Sequence, residues 1–148
     1  MTPKYKTALF AGTFNPFTTG HKSIADRALK LADRLVIGFG VNISKSDPGA
    51  ISRIARVKEL YADNPAVTVV QYSGLTTDFA RECGADFMVR GVRSVADFEY
   101  ERNLADVNLK LSGIETILLP ALPELSYVSG SMVRELIAHG ADASPYLP

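Results

Sequence analysis

Thr7-Ala8-Leu9-Phe10-Ala11, followed at once by Gly12-Thr13-Phe14-Asn15-Pro16-Phe17-Thr18-Thr19-Gly20-His21, is the stretch that decides how this chain is built. The opening run is apolar without a polar alternate face, as expected of a strand covered on both sides. The residues after it carry glycine, asparagine and proline and read as a loop. Beyond the loop, Ile24, Ala28 and Leu31 recur at helical spacing. The unit is strand, loop, helix.

Outward from this unit the pattern repeats. Apolar runs rich in branched residues at 34–41, 67–72, 87–90 and 115–119 predict four further strands, and Leu104, Val107 and Leu111 mark another helix. Strands that alternate with helices predict a Rossmann-like, doubly wound α/β fold: a five-stranded, mostly parallel sheet with helices on both faces. Ligands of such sheets bind beyond the carboxyl ends of the strands, so the residues after each strand are the candidates for chemistry. Residues 42–49, which include Ser44, Lys45, Asp47 and Pro48, read as the most flexible segment, one that would close over a ligand.

Size and composition narrow the choice of function. A chain of 148 residues, 47% hydrophobic and 22% charged, is expected to form a single domain over 1–148. Sixteen basic residues balance sixteen acidic ones, without a long run of either sign, which argues against nucleic-acid binding. No stretch reads as a signal peptide or a membrane span, so a cytoplasmic location is expected. Cys83 stands alone, which excludes an internal disulfide and a cysteine metal site and leaves it a structural part at a helix end.

The first loop is the first candidate site. Glycines near both its ends would let backbone approach a ligand, and the helix start that follows offers unpaired N–H groups and a partial positive charge to phosphate. His21 would add a hydrogen bond or a charge there, although a lone histidine in a first helical turn is more often a surface or capping residue. The Walker pattern does not fit, because seven residues separate Gly12 from Gly20 and His21 follows. Gly38-Phe39-Gly40 begins like a dinucleotide fingerprint, but Ile43 stands where the third glycine belongs and the pair lies within the second strand.

The second candidate site is Arg90-Gly91-Val92-Arg93-Ser94-Val95-Ala96-Asp97-Phe98-Glu99-Tyr100-Glu101, at the end of the fourth strand. Arginine's planar fork suits phosphate oxygens, so Arg90 and Arg93 would hold two phosphate groups. The plainer alternative is a solvated ion-pair face formed with Asp97, Glu99 and Glu101.

Two resemblances sharpen the reading. Gly-Thr-Phe-Asn-Pro-x-Thr-x-Gly-His after the first strand resembles the signature of the nucleotidylyltransferase superfamily, and the block from Arg90 to Glu101, continued to Asn108, is similar to that of phosphopantetheine adenylyltransferases. The likeness runs over residues 7–148 with its blocks in order. It implies transfer of AMP from ATP to 4'-phosphopantetheine, giving 3'-dephospho-coenzyme A and pyrophosphate. It assigns Arg90, Asn108 and Thr76 to phosphopantetheine, and Gly91, Val92, Arg93 and Glu101 to ATP. Thr13 would orient phosphates of both substrates, and Phe14 would border the nucleotide.

By the same resemblance Lys45 neutralises phosphate charge in the transition state, and His21, Lys45 and Arg93 are the catalytic residues. Leu125-Ser126-Tyr127-Val128-Ser129-Gly130-Ser131 would receive the ATP phosphates at a second helix start. The bland alternative for Ser129 or Ser131, and for Thr76 or Thr77, is a helix cap. Magnesium is expected to travel with ATP, without a dedicated protein metal cage. A homohexamer and feedback by coenzyme A follow only from the resemblance. Gly130 departs from the middle serine of the family's Ile-Ser-Ser-Ser, Asn15 from a frequent aspartate and Ala55 from a frequent glutamate, and the chain stops without the extra terminal helix of some relatives. The competing readings are a nucleotidylyltransferase with another phosphate acceptor and a non-catalytic ATP-sensing module.

Overall fold

A computed structural model describes residues 6–42 and 46–148. Five parallel strands, β1 (Thr7–Gly12), β2 (Arg34–Gly40), β3 (Val67–Tyr72), β4 (Phe87–Val92) and β5 (Glu115–Pro120), form one sheet in the order β3-β2-β1-β4-β5. Helices α1 (Thr19–Ala28), α2 (Ala50–Leu60), α3 (Thr76–Glu82) and α4 (Val95–Ser112) join successive strands, and α5 (Gly130–Ala138) follows β5. The expected doubly wound α/β architecture is present.

The apolar strand runs follow from burial on both faces. In β1, Ala8 and Phe10 pack with Ile24, Ala25 and Ala28 of α1, whereas Leu9 and Ala11 point into a second cluster with Ala80 and Met88. No position of the strand interior faces water, so no polar alternation survives in the sequence. From β1 the sheet grows to β2 on one side and to β4 on the other. The crevice between the carboxyl ends of β1 and β4 is therefore the switch point where ligands of such sheets bind.

Several local expectations need correcting. The fourth strand runs two residues beyond 90, pairing Gly91 with Leu119 and Val92 with Pro120, so Arg90 lies within the strand and only Arg93 leaves its end. Leu31 lies past the end of α1 and is exposed, because the helix stops at Ala28 and the chain turns back toward β2. On α4, Val107 and Leu111 are exposed and Glu101 is the buried residue, so helical spacing there found the helix but not its inward face.

The paired glycines of β2 are packing devices. A Cβ at Gly38 would lie 3.0 Å from the Phe79 ring, and one at Gly40 would lie 3.0 Å from Tyr72 Oη. Tyr72 and Phe79 stack with centroids 4.5 Å apart, and the two glycines leave room for that stack. Cys83 ends α3, with its Sγ donating to the Ala80 carbonyl at 3.6 Å. Burial raises its thiol pKa, as suits a structural rather than a nucleophilic cysteine.

Candidate active site

A cavity of about 490 Å³ opens at the carboxyl ends of β1 and β4, between the β1–α1 loop and the start of α5. It brings together Thr13 and Phe14 from the loop, His21 from the first turn of α1, Arg90, Gly91 and Val92 from β4, Arg93 just past its end, and Glu101 from α4. Leu125, Val128, Ser129, Gly130 and Ser131 close it from the α5 side. Among the expected residues, Ser126, Tyr127, Thr76 and Asn108 do not line this cavity. Lys45 lies outside the described residues, as does part of the segment expected to be flexible.

His21 is fixed by the chain that precedes it. Thr18 is the N-cap of α1 and its Oγ1 accepts from the backbone N–H of His21 at 3.3 Å, while the backbone N–H of Thr18 donates to Nδ1 of His21 at 2.9 Å. The reciprocal box usually places Glu or Gln at the third helical position, and here an imidazole accepts in its stead. An amide can only donate, so Nδ1 carries no proton and the neutral ring holds its proton on Nε2. Burial first, then the charges of Arg90 and Arg93, lower the His21 pKa to about 4. Of the two expected contributions, His21 in this state offers a hydrogen bond and no charge.

Phe14 helps to hold that ring. Its backbone stands at φ 48°, in the left-handed region, and its ring meets His21 edge-on at a centroid distance of 5.0 Å. A Cβ on Gly12 would sit 3.0 Å from the Phe14 ring, so the space this glycine leaves is filled by an aromatic side chain. Phe10 and Phe17 complete the apolar surroundings of His21.

The two arginines differ. Arg90 donates through Nε and Nη2 to the two oxygens of Glu101 at 2.9 and 2.7 Å, and through Nη1 to the Ala11 carbonyl at 2.6 Å. Burial works to lower its pKa, but the bonds and charge of Glu101 outweigh it and hold Arg90 above its ordinary value. The ion pair raised as the plain alternative thus exists for Arg90, but Glu101 is only 4% exposed and the pair forms part of the cavity wall rather than a solvated face. Arg93 is exposed at the strand end, and its backbone N–H is held by Asp97 at 2.9 Å. Ser94 caps α4 beside it.

At the second helix start, Ser129 caps α5 by accepting from Met132 N–H at 3.1 Å. It lines the cavity as well, so the capping and phosphate readings fall on the same turn. A Cβ on Gly130 would lie 3.3 Å from the Asn15 carbonyl oxygen. A side chain at position 130 would therefore crowd the backbone of residue 15, and both residues line the cavity. Arg134, which the sequence reading missed, donates to the Asn15 carbonyl and to Ser131 Oγ and lines the cavity. Its place one turn after Gly130 was the available signal.

Thr76 is not a cap: Leu75 occupies that position without a side-chain bond, and Thr76 Oγ1 pairs with Tyr72 Oη at 2.8 Å. Thr77 is buried. Asn108 lies within α4, where its carbonyl accepts from Ser112 Oγ at 2.6 Å.

A family model described as cytidylyltransferase-like matches residues 9–136. The chain is 49% identical over 144 residues to a phosphopantetheine adenylyltransferase of Bacteroides thetaiotaomicron, covering 97% of this chain and 95% of that protein. It is 44% identical over 142 residues to one of Cutibacterium acnes, covering 95% and 90%. A putative nicotinate-nucleotide adenylyltransferase structure from Vibrio parahaemolyticus superposes with a TM-score of 0.63 at 17% identity, covering 97% and 94%, a likeness of fold alone. The chain belongs to the cytidylyltransferase-like group and, within it, to the phosphopantetheine adenylyltransferase family.

Proposed function

We propose that this cavity aligns ATP with 4'-phosphopantetheine, Arg90 holding the acceptor phosphate and Arg93, Gly91, Val92 and the first turn of α5 holding ATP. The enzyme transfers the adenylyl group of ATP to 4'-phosphopantetheine, giving 3'-dephospho-coenzyme A and pyrophosphate in coenzyme A biosynthesis. The observation that carries the residue assignment is the convergence of His21, Arg90, Arg93 and the α5 N-terminus on one cavity at the switch point of the sheet.

A phosphate oxygen of the acceptor attacks the α-phosphorus, a new P–O bond forms, and the bond to the β-phosphate breaks as pyrophosphate leaves. With a second phosphate pKa near 6, the acceptor is ionised at neutral pH, so no protein base or nucleophile is required. The protein's task is alignment and stabilisation of developing charge. The His21 Nε2–H donates to an α-phosphate oxygen, and Thr13 orients the phosphates. Ser129 spends its hydroxyl on the cap, which leaves the backbone N–H groups of Gly130 and Ser131 for phosphate. Lys45, which follows β2 in the sequence, supplies a further charge. Leu125 and Val128 give an apolar wall to the nucleotide, whereas Ser126, Tyr127, Thr76 and Asn108 serve only parts of the substrates that extend beyond the cavity.

Magnesium fits as a companion of ATP, held by phosphate oxygens and water. Both carboxylates lining the cavity are engaged, Asp97 by a backbone N–H and Glu101 by Arg90, and among the described residues no cluster of three ligating side chains is found. Coenzyme A, which contains both substrate halves, would compete for the same cavity. Exposed Val95, Phe98, Val107 and Leu111 on α4 support assembly with further copies, for which a hexamer is the expectation. Among the described residues no helix is long and apolar enough to cross a membrane, and the proposed location is the cytoplasm.

The test is incubation of the purified chain with ATP, magnesium and 4'-phosphopantetheine, followed by mass identification of the product. Dephospho-coenzyme A supports the proposal. ATP binding without any product would favour a sensing module instead.

A further inference from the structure

The α5 side of the cavity is walled by the chain that leaves β5. Ala121, Leu125, Val128 and Ser129 all line the cavity, and all lie between the end of β5 and the start of α5. β5 is an edge strand, and its last residue, Pro120, has no N–H to give to the sheet. Two bonds meet at the point where the connection departs. The N–H of Ala121 donates to the Val92 carbonyl at 2.8 Å. Nη1 of Arg27, from the last turn of α1, donates to the Pro120 carbonyl at 2.8 Å.

We infer that Arg27 is a positioning residue for the nucleotide, acting through the Pro120 carbonyl on the chain that walls the ATP half of the cavity. The inference rests on the assignment of that half to ATP made above. Arg27 does not itself line the cavity, so its effect passes through the backbone it holds. A carbonyl that accepts from a charged donor is held more firmly than one left to water.

The reach of Arg27 has a cause in packing. Ile24 of α1 lies so close to β4 that a Cβ at Gly91 would stand 2.9 Å from its Cγ1. Arg27 follows Ile24 by three residues and shares its side of the helix. An α1 seated this low on β4 brings Arg27 within reach of β5, the next strand. Helical side chains tilt toward the helix N-terminus, so Arg27 leans back toward the carboxyl ends of the strands, where Pro120 lies. The same helix presents His21 to the cavity from its first turn. One rigid element thus sets both the imidazole and the departure of the nucleotide wall. The plainer role for Arg27, a basic residue that complements the C-terminal end of a helix, requires no bond to a carbonyl 93 residues away.

The test compares Arg27→Met, which keeps the apolar stem and loses the donors, and Arg27→Lys, which keeps a charged donor, with the parent enzyme. ATP with magnesium is titrated by calorimetry in the absence of acceptor, the KM of each substrate is measured by pyrophosphate release, and thermal melting is followed alongside. Arg27→Met is expected to weaken ATP binding about tenfold, the order of one hydrogen bond from a charged donor, with the acceptor KM within about twofold. Arg27→Lys is expected to recover much of the ATP affinity, because an ammonium still donates to the carbonyl. Both variants should melt close to the parent, since the contact is exposed. Arg27→Ala stands in for Arg27→Met should that variant fail to fold.

Parental ATP binding in Arg27→Met would overturn the inference, and a lowered melting temperature with it would leave Arg27 a helix-end charge. Equal weakening by Arg27→Met and Arg27→Lys would overturn it as well, because a restored donor would then count for nothing. A loss confined to the acceptor KM would reverse the assignment of the two halves of the cavity, and the inference would fall with that assignment. Should the parent make no product from 4'-phosphopantetheine, the proposed function falls, and the calorimetric comparison still decides the role of Arg27.

Discussion

Thr18 and His21 hold each other at both ends of a single helical turn: the threonine hydroxyl accepts from the histidine backbone, and the imidazole Nδ1 accepts from the threonine backbone. The motif that carries the family signature is therefore a helix cap first. Its chemical consequence is a neutral imidazole with the proton on Nε2, facing the cavity.

A pH dependence of stability follows from that arrangement. The His21 pKa falls from 6.5 to about 4 on folding, so between these values the unfolded chain binds the proton and the folded one does not. Stability therefore rises with pH across this window and is lost as pH falls from 6.5 toward 4. Denaturant unfolding at several pH values should give a flatter profile over this range for His21→Asn than for the parent. Parallel profiles would contradict the proposed burial of a neutral ring.

Removing the ring affects the reaction more than binding. If the Nε2–H contact strengthens as charge develops, His21→Ala should lower kcat by about 10²–10³ while substrate dissociation constants change much less. Single-turnover kinetics with binding measured by calorimetry would check this. An unchanged kcat would remove His21 from the mechanism.

Gly91 packs directly against α1. A Cβ there would lie 2.9 Å from Ile24 Cγ1 of α1. Gly91→Ala should therefore destabilise the fold by about 1–3 kcal/mol, the usual cost of overpacking. The double variant Gly91→Ala/Ile24→Ala should cost less than the two single changes together. Strict additivity in urea unfolding would count against the clash.

Arg134 ties the start of α5 to the first loop through the Asn15 carbonyl and Ser131. Arg134→Ala should raise the ATP KM about tenfold and leave the melting temperature nearly unchanged, because the side chain is exposed. A large loss of melting temperature with normal kinetics would make the contact merely structural.

The fold was legible because the central strands are covered on both faces. β1 and β2 appear in the sequence as unbroken apolar runs, which few other architectures produce. The inward face of α4 was not legible, since periodicity shows that Leu104, Val107 and Leu111 share a side but not what that side meets. The roles of Gly38 and Gly40 depend on Tyr72 and Phe79, which only the folded sheet brings beside them.

Within the site, residue types were readable and pairings were not. Arg90 and Arg93 announce phosphate by their chemistry, but the tie between Arg90 and Glu101 spans eleven residues and a change from strand to helix. The spacing Thr-x-x-His is that of a capping box, and recognising it in those terms would have given the His21 tautomer. That a side chain at 130 would crowd the Asn15 carbonyl is a fact of tertiary structure alone.

The most direct test of the central claim is acceptor choice. Pyrophosphate release would be measured with ATP and magnesium against 4'-phosphopantetheine, nicotinamide mononucleotide and glycerol 3-phosphate in parallel, comparing kcat/KM. Turnover with 4'-phosphopantetheine and only background with the other two is the result expected of this cavity. Preferred turnover with either of the others would contradict it.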